Sequence, residues 1–114
     1  MERYYTSIEQ SLHLHDLGLP QDTADMVYRN DYDVYTEENY ICEIPEILPF
    51  EGDFLKNDVP CWSLGALLKL MPKGSHIEAN KCYVVYNKPF SEANTIIDAA
   101  YNAMCWLIEK GYIK

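Results

Sequence analysis

The chain has no excess of positive charge, no closely spaced cysteine pair, no long apolar run and no familiar catalytic motif. Nine Lys and Arg stand against eighteen Asp and Glu in 114 residues, a net charge of −9. That balance repels phosphate backbones and argues against direct nucleic-acid binding through a basic face. No apolar stretch nears the ~18 residues that a membrane span needs. Met1 to Ser7 is polar and lacks the apolar core of a secretion signal. The four cysteines, Cys42, Cys61, Cys82 and Cys105, are 19, 21 and 23 residues apart, with no C-x-x-C. They read as reduced small hydrophobes. These absences together predict a cytoplasmic protein with no membrane association.

Motif chemistry is missing as well. There is no G-x-G-x-x-G, Walker loop, G-x-S-x-G or H-E-x-x-H, so no cofactor or catalytic metal is expected. His13 and His15 lie two apart on a predicted helix and point about 160° from each other, so they cannot share a metal ion. His15 falls near an apolar stripe and is expected to be half-buried. His76 near Cys82 is too thin a ligand set for zinc. Asp31 with Asp33, or Glu43 with Glu46, can be written as a general acid/base pair, but any segment this acidic offers such pairs. Cys61 is the candidate for reactivity. It stands two residues before a predicted helix start, where the helix dipole lowers a thiol pKa. Its neighbours Pro60 and Trp62 favour a packed, structural cysteine instead.

What is present marks a folded domain. Hydrophobic residues make up 48% and charged residues 24%, and the length suits one domain with a real core. Tyrosine outnumbers phenylalanine ten to three. Its apolar ring and wet hydroxyl suit half-exposed strands or a binding surface. Negative charge is concentrated: residues 25–58 hold ten acids and two bases (−8), which leaves eight acids and seven bases elsewhere. Such a run is either a solvated face or a surface that docks a basic partner or imitates a phosphate backbone. Asp31, Asp33, Glu37 and Glu38, with Tyr35 and Tyr40, are its candidate interaction residues.

Along the chain, Thr6-Ser-Ile-Glu9 has capping-box spacing for a first helix, with Ile8 and Leu12 on its buried face and Gly18 ending it. Asp22 is expected to cap a short second turn. Met26 and Val27 lead into extended structure over Tyr28 to Phe50, where Val34, Tyr35, Tyr40, Ile41, Cys42 and Ile44 are strand formers. Glu37-Glu-Asn39 is the expected turn. Pro45 and Pro49 demote Glu43 to Phe50 to an edge or irregular segment, and Glu51-Gly52-Asp53 reads as a turn. Ser63 then caps a central helix, with Trp62 packing on Leu67 and a Leu64, Leu67, Leu68, Met71 stripe. Gly65 within it suggests close packing. His76 to Ala79 and Cys82 to Tyr86 form a hairpin candidate around Asn80-Lys81. Pro89 to Asn94 reads as a loop. Thr95 caps a long last helix with the stripe Ile96, Ala100, Met104, Leu107, Ile108, ended by Gly111; Tyr112 and Ile113 are expected to fold back.

Three blocks carry a resemblance. They are Leu17-Gly-Leu-Pro with Thr23-Ala-Asp-Met; Asp58-Val-Pro-Cys-Trp-Ser-Leu-Gly-Ala-Leu-Leu; and Asp98-Ala-Ala followed by Cys105-Trp-Leu-Ile-Glu-Lys-Gly-Tyr-Ile. In this order they resemble a family of small uncharacterised proteins encoded by prophages and mobile elements of gut bacteria. The resemblance implies an accessory protein of a phage or mobile element acting in the bacterial cytoplasm, and it carries over no catalytic or binding residue.

The expected fold is a single α+β domain, residues 1–114. A small, mostly antiparallel sheet carries three main helices on one face, in rough order α-β-β-α-β-β-α. Expected buried positions are Ile8, Leu12, Trp62, Leu64, Leu67, Leu68, Val84, Ile97, Ala100, Met104, Leu107 and Ile108. The leading functional expectation is a non-enzymatic accessory protein that binds another protein, with a homodimer as one form of this. The alternatives are an acidic nucleic-acid mimic that inhibits a DNA-binding host protein, and a cryptic enzyme using Cys61 as nucleophile.

Overall fold

The computed structural model describes residues 3–48, 57–73, 75–78, 81–83 and 90–111. Helix α1 (Ile8–Asp16) begins one residue later than the Thr6 spacing suggests. Ser7 is the N-cap: its hydroxyl accepts from the Gln10 amide, and the Gln10 side chain accepts from the Ser7 amide. Thr6 cannot cap because a tertiary contact has claimed it. It is fully buried, shares a 2.7 Å hydrogen bond with Ser11 and accepts from the Trp62 amide. The inward face of α1 is therefore Ser11 and Leu14, while Leu12 is 46% exposed rather than buried. His15 is exposed too.

The helix ends as its sequence demands. Gly18 has φ +98, its amide donates to His15 O, and the Leu19 amide donates to Leu14 O. This is the doubly bonded glycine stop, with buried Leu14 and Leu19 as its apolar pair. The next turn, Gln21–Thr23, is a 3-10 turn started by Pro20 with no side-chain cap, so Asp22 does not play that part.

Strand β1 (Met26–Tyr28) then runs between β4 (Glu46–Ile47) and β5 (Val59–Cys61), both antiparallel to it. Pro60 is tolerated because β5 is an edge strand, where a missing donor breaks no ladder bond. Between β1 and β4 the chain projects as a hairpin, β2 (Asn30–Asp33) and β3 (Glu38–Ile41). Its turn is Val34–Glu37, not Glu37 to Asn39, so Val34 and Tyr35 are turn residues. Asp33 decides this. Its carboxylate accepts from the Tyr35 amide and its carbonyl from the Glu37 amide, and Glu37 takes φ 58.

Ser63 caps α2 (Leu64–Leu70) by accepting from the Ala66 amide. Thr95 caps α3 (Ile96–Glu109) by accepting from Asp98; Gly111, at φ +80, ends α3. Between these helices, β6 (His76–Glu78), β7 (Lys81–Tyr83) and β8 (Phe90–Glu92) form an antiparallel sheet in the order β6-β7-β8. Glu78 opposes Lys81, so Lys81 is a strand residue rather than part of the turn. β8 occupies ground that reads locally as a loop, and its pairing with β7 is what makes it a strand. Antiparallel strands and three helices give the expected α+β class, with the described strands divided among three small sheets.

The main core gathers Leu14, Leu19, Trp62, Leu67, Met71 and Cys82 against α3. Helix α3 buries Ile97, Ala99, Ala100, Ala103, Met104 and Leu107. Leu64, Leu68 and Ile108 pack on this core half-buried, whereas Ile8 joins a second, smaller cluster around Tyr28, Val59 and Cys61. Val84, Glu51 to Asp53, and Tyr112 and Ile113 lie outside the described residues.

Candidate functional site

The six candidate interaction residues all fall on the β2–β3 hairpin. Its register pairs Asp31 with Tyr40 and Asp33 with Glu38. Residues two apart share a sheet face, so Asp31, Asp33, Glu38 and Tyr40 line one side. Asn30, Tyr32, Asn39 and Ile41 line the other, and Ile41 is packed on the second core cluster. Every residue from 31 to 40 except Asp33 is exposed. Tyr35 at the tip is 95% exposed and Val34 70%. The Tyr40 hydroxyl donates to Asp31 at 3.3 Å, and the charge of that carboxylate raises the Tyr40 pKa.

The base of the hairpin is clasped. The Arg29 guanidinium donates at 2.8 Å to both Glu46 and Asp58. These partners, Asp58 first, hold it still more firmly protonated. The Asp58 side chain has no exposed surface and also accepts from the Asn30 amide at 2.9 Å. Nothing in the local sequence links Arg29 to Asp58. Their separation of 29 residues hides the pairing. Ile44 and Ile47, 79% and 76% exposed, extend the open apolar surface beyond the hairpin.

The other candidates do not converge. Cys61 lies in β5 with no exposed surface, and burial pushes its thiol up to about 11. It donates weakly to Thr6 O at 3.5 Å. A thiol so placed is held protonated at neutral pH and shielded from solvent. Mass-mapped alkylation of the folded protein is expected to leave Cys61 unmodified until global unfolding; rapid labelling without denaturant would contradict this. The same burial gives a pH dependence. Cys61 and Cys82, both at about 11 when folded, lie above the unfolded value of about 8.5. Their contribution is full below that value and is lost as pH rises toward 11, so chemical denaturation should show stability falling across that window.

His13 shares a short hydrogen bond with the Tyr101 hydroxyl and lies 3.8 Å from the Cys105 sulfur, tying α1 to α3. Among the described residues no group of three or more His, Cys, Asp or Glu is placed to hold a metal ion. An open groove of about 1140 Å³ runs past Tyr4, Asp25, Met26, Ile47, Gly65 and Lys69. Gly65 is exposed there rather than closely packed: a Cβ added to it would meet only Ser63 Oγ, at 3.8 Å. Of the two carboxylates that line the groove, Asp22 and Asp25, the second is engaged by the Ser63 amide and hydroxyl. No helix among the described residues is long and apolar enough to cross a membrane.

The assembled site is thus a hairpin with an acidic face and an aromatic tip, held at its base by a buried carboxylate. No protein-family model matches the chain, and comparisons with curated proteins and with solved structures found no match.

Proposed function

We propose that this protein is a non-enzymatic binding module that docks a basic protein surface through the β2–β3 hairpin. In the setting implied by the prophage-family resemblance, it acts as an accessory protein. The observation that carries the proposal is the coincidence, on one projecting hairpin, of the acidic face with the exposed Tyr32, Val34, Tyr35 and Tyr40. Large apolar side chains left in water on a charged surface are the anchors a partner buries, and the surrounding charge steers encounter and sets register. A second copy is a poor occupant of this face, because it would bring carboxylates against carboxylates.

The test is affinity capture compared between the natural chain and the variant Asp31→Asn, Asp33→Asn, Glu37→Gln, Glu38→Gln. The amides keep the turn acceptors, so stability should move by less than about 1 kcal/mol, while affinity for the captured partner falls at least about tenfold. Equal recovery by both proteins would sink the proposal. A nucleic-acid mimic makes a narrower demand: the partner must bind duplex DNA, and DNA must compete with the hairpin. Asp31 and Asp33, two residues apart on one face of β2, are the observation in its favour.

A further inference from the structure

The two outer edges of the hairpin differ in a way that side-chain charge alone does not reveal. The Cys42 amide donates to Arg29 O at 2.8 Å, which sets the phase of the ladder. Arg29–Cys42, Asp31–Tyr40 and Asp33–Glu38 are the pairs bonded inward. Asn30 and Tyr32 on β2, and Asn39 and Ile41 on β3, therefore turn their backbone groups outward. On β2 those amides are occupied, Asn30 by the Asp58 carboxylate at 2.9 Å and Tyr32 by the Asp31 carboxylate at 2.8 Å. A strand approaching from that side meets carboxylates where it needs free donors. On β3 no partner among the described residues meets the amides of Asn39 or Ile41, and Asn39 is exposed. Among the described residues, one edge is closed and the other is open.

An open edge is a template for strand addition, and the charge beside it selects what is added. A strand laid along β3 places alternate residues on the face of Glu38 and Tyr40, with Asp31 and Asp33 one strand further across. Lys or Arg at those positions pairs with Glu38 and lies over the Tyr40 ring within reach of Asp31. The intervening residues fall on the face of Asn39 and half-buried Ile41, where apolar or small polar side chains fit. We infer that the outer edge of β3, through the backbone of Asn39 and Ile41, accepts an extended partner segment in which Lys or Arg alternates with apolar or small polar residues. This rests on the docking role given to the hairpin and adds the mode of docking and the chemistry of the bound segment.

The probe is a synthetic ten-residue peptide alternating Lys with Val and Thr, capped at both ends. Its control is a peptide of the same composition with the lysines gathered at one end. Backbone amide exchange of the full chain is followed by NMR with each. The alternating peptide should slow the Asn39 and Ile41 amides at least about tenfold, leave Asn30 and Tyr32 unchanged and outperform the control. Asn39→Pro, which removes the outward donor, should abolish binding. The protection pattern of the natural chain decides the matter even if that variant folds poorly. Shifts at Asp31, Asp33 and Glu38 without protection of Asn39 and Ile41 would overturn strand addition while leaving charge-driven docking intact. Equal binding of the control would overturn the alternation, and protection on β2 instead of β3 would overturn the choice of edge. No response anywhere on the hairpin would count against this inference and the docking role together.

Discussion

Replacing Trp62 with alanine is expected to cost about 3–5 kcal/mol of folding stability, the largest effect expected of a single truncation among the described residues. Trp62 has no exposed surface and sits where β5 turns into α2, within the main core. Its indole N–H donates to the Thr23 hydroxyl at 2.9 Å. Its backbone binds Thr6 twice, accepting from the Thr6 amide at 2.9 Å and donating to the Thr6 hydroxyl at 3.2 Å. One side chain thus joins the turn after α1, the entry to α2 and the core under α3. Domains of this size hold about 5–15 kcal/mol in total, so the alanine variant should be close to unfolding at 37 °C. Trp62→Phe keeps most of the apolar volume and loses the indole donor, for a cost nearer 1–2 kcal/mol. Urea denaturation followed by far-ultraviolet circular dichroism measures both. A Trp62→Ala midpoint equal to that of the natural chain would show that the core does not depend on this residue.

The second large effect is expected at Asp58. Truncation to alanine should cost about 3 kcal/mol, because it strips a buried carboxylate from Arg29 and from the Asn30 amide at once. The lower end of the range for buried pairs applies, since Arg29 is 25% exposed and water can partly replace the lost partner. The contrast is Glu46→Ala. Glu46 meets the same guanidinium at the same 2.8 Å but is 61% exposed, and its loss should cost less than about 1 kcal/mol. Equal costs at the two positions would refute the argument from burial. Amide exchange locates the damage: in the Asp58 variant Asn30 should exchange faster, with Asp98 at the start of α3 unchanged. Because Asp58 holds the root of the hairpin, the variant should also weaken partner binding without touching the acidic face.

Much of this architecture was legible locally. Gly18, Ser63, Thr95 and Gly111 end or start helices as their residue types require, since a cap is satisfied by amides only a few positions away. Several of the misreadings share one cause. Thr6 has the side chain for a cap, but Trp62 and Ser11 claim its hydroxyl from elsewhere in the fold. The face of α1 follows that claim, so Ser11 is buried and Leu12 is not. Residues 90–92 become a strand only because β7 lies beside them. For the candidate site, the acidic, tyrosine-rich composition was visible in the chain. The closed edge of β2 and the open edge of β3 were not, because they depend on ladder phase and on Asp58.

Composition, caps and apolar periodicity therefore suffice for the α+β class, the extents of α2 and α3, and the placing of negative charge in one segment. These properties depend on neighbours within a turn or two of helix or on counting charges. Folding decides the rest: the division of the strands into three sheets, the burial of Cys61, the Arg29–Asp58 clasp and the outward amides of β3 that meet no partner among the described residues. Each arises from groups brought together across tens of residues, where which donor meets which acceptor is set by the packing of the whole domain rather than by any local pattern.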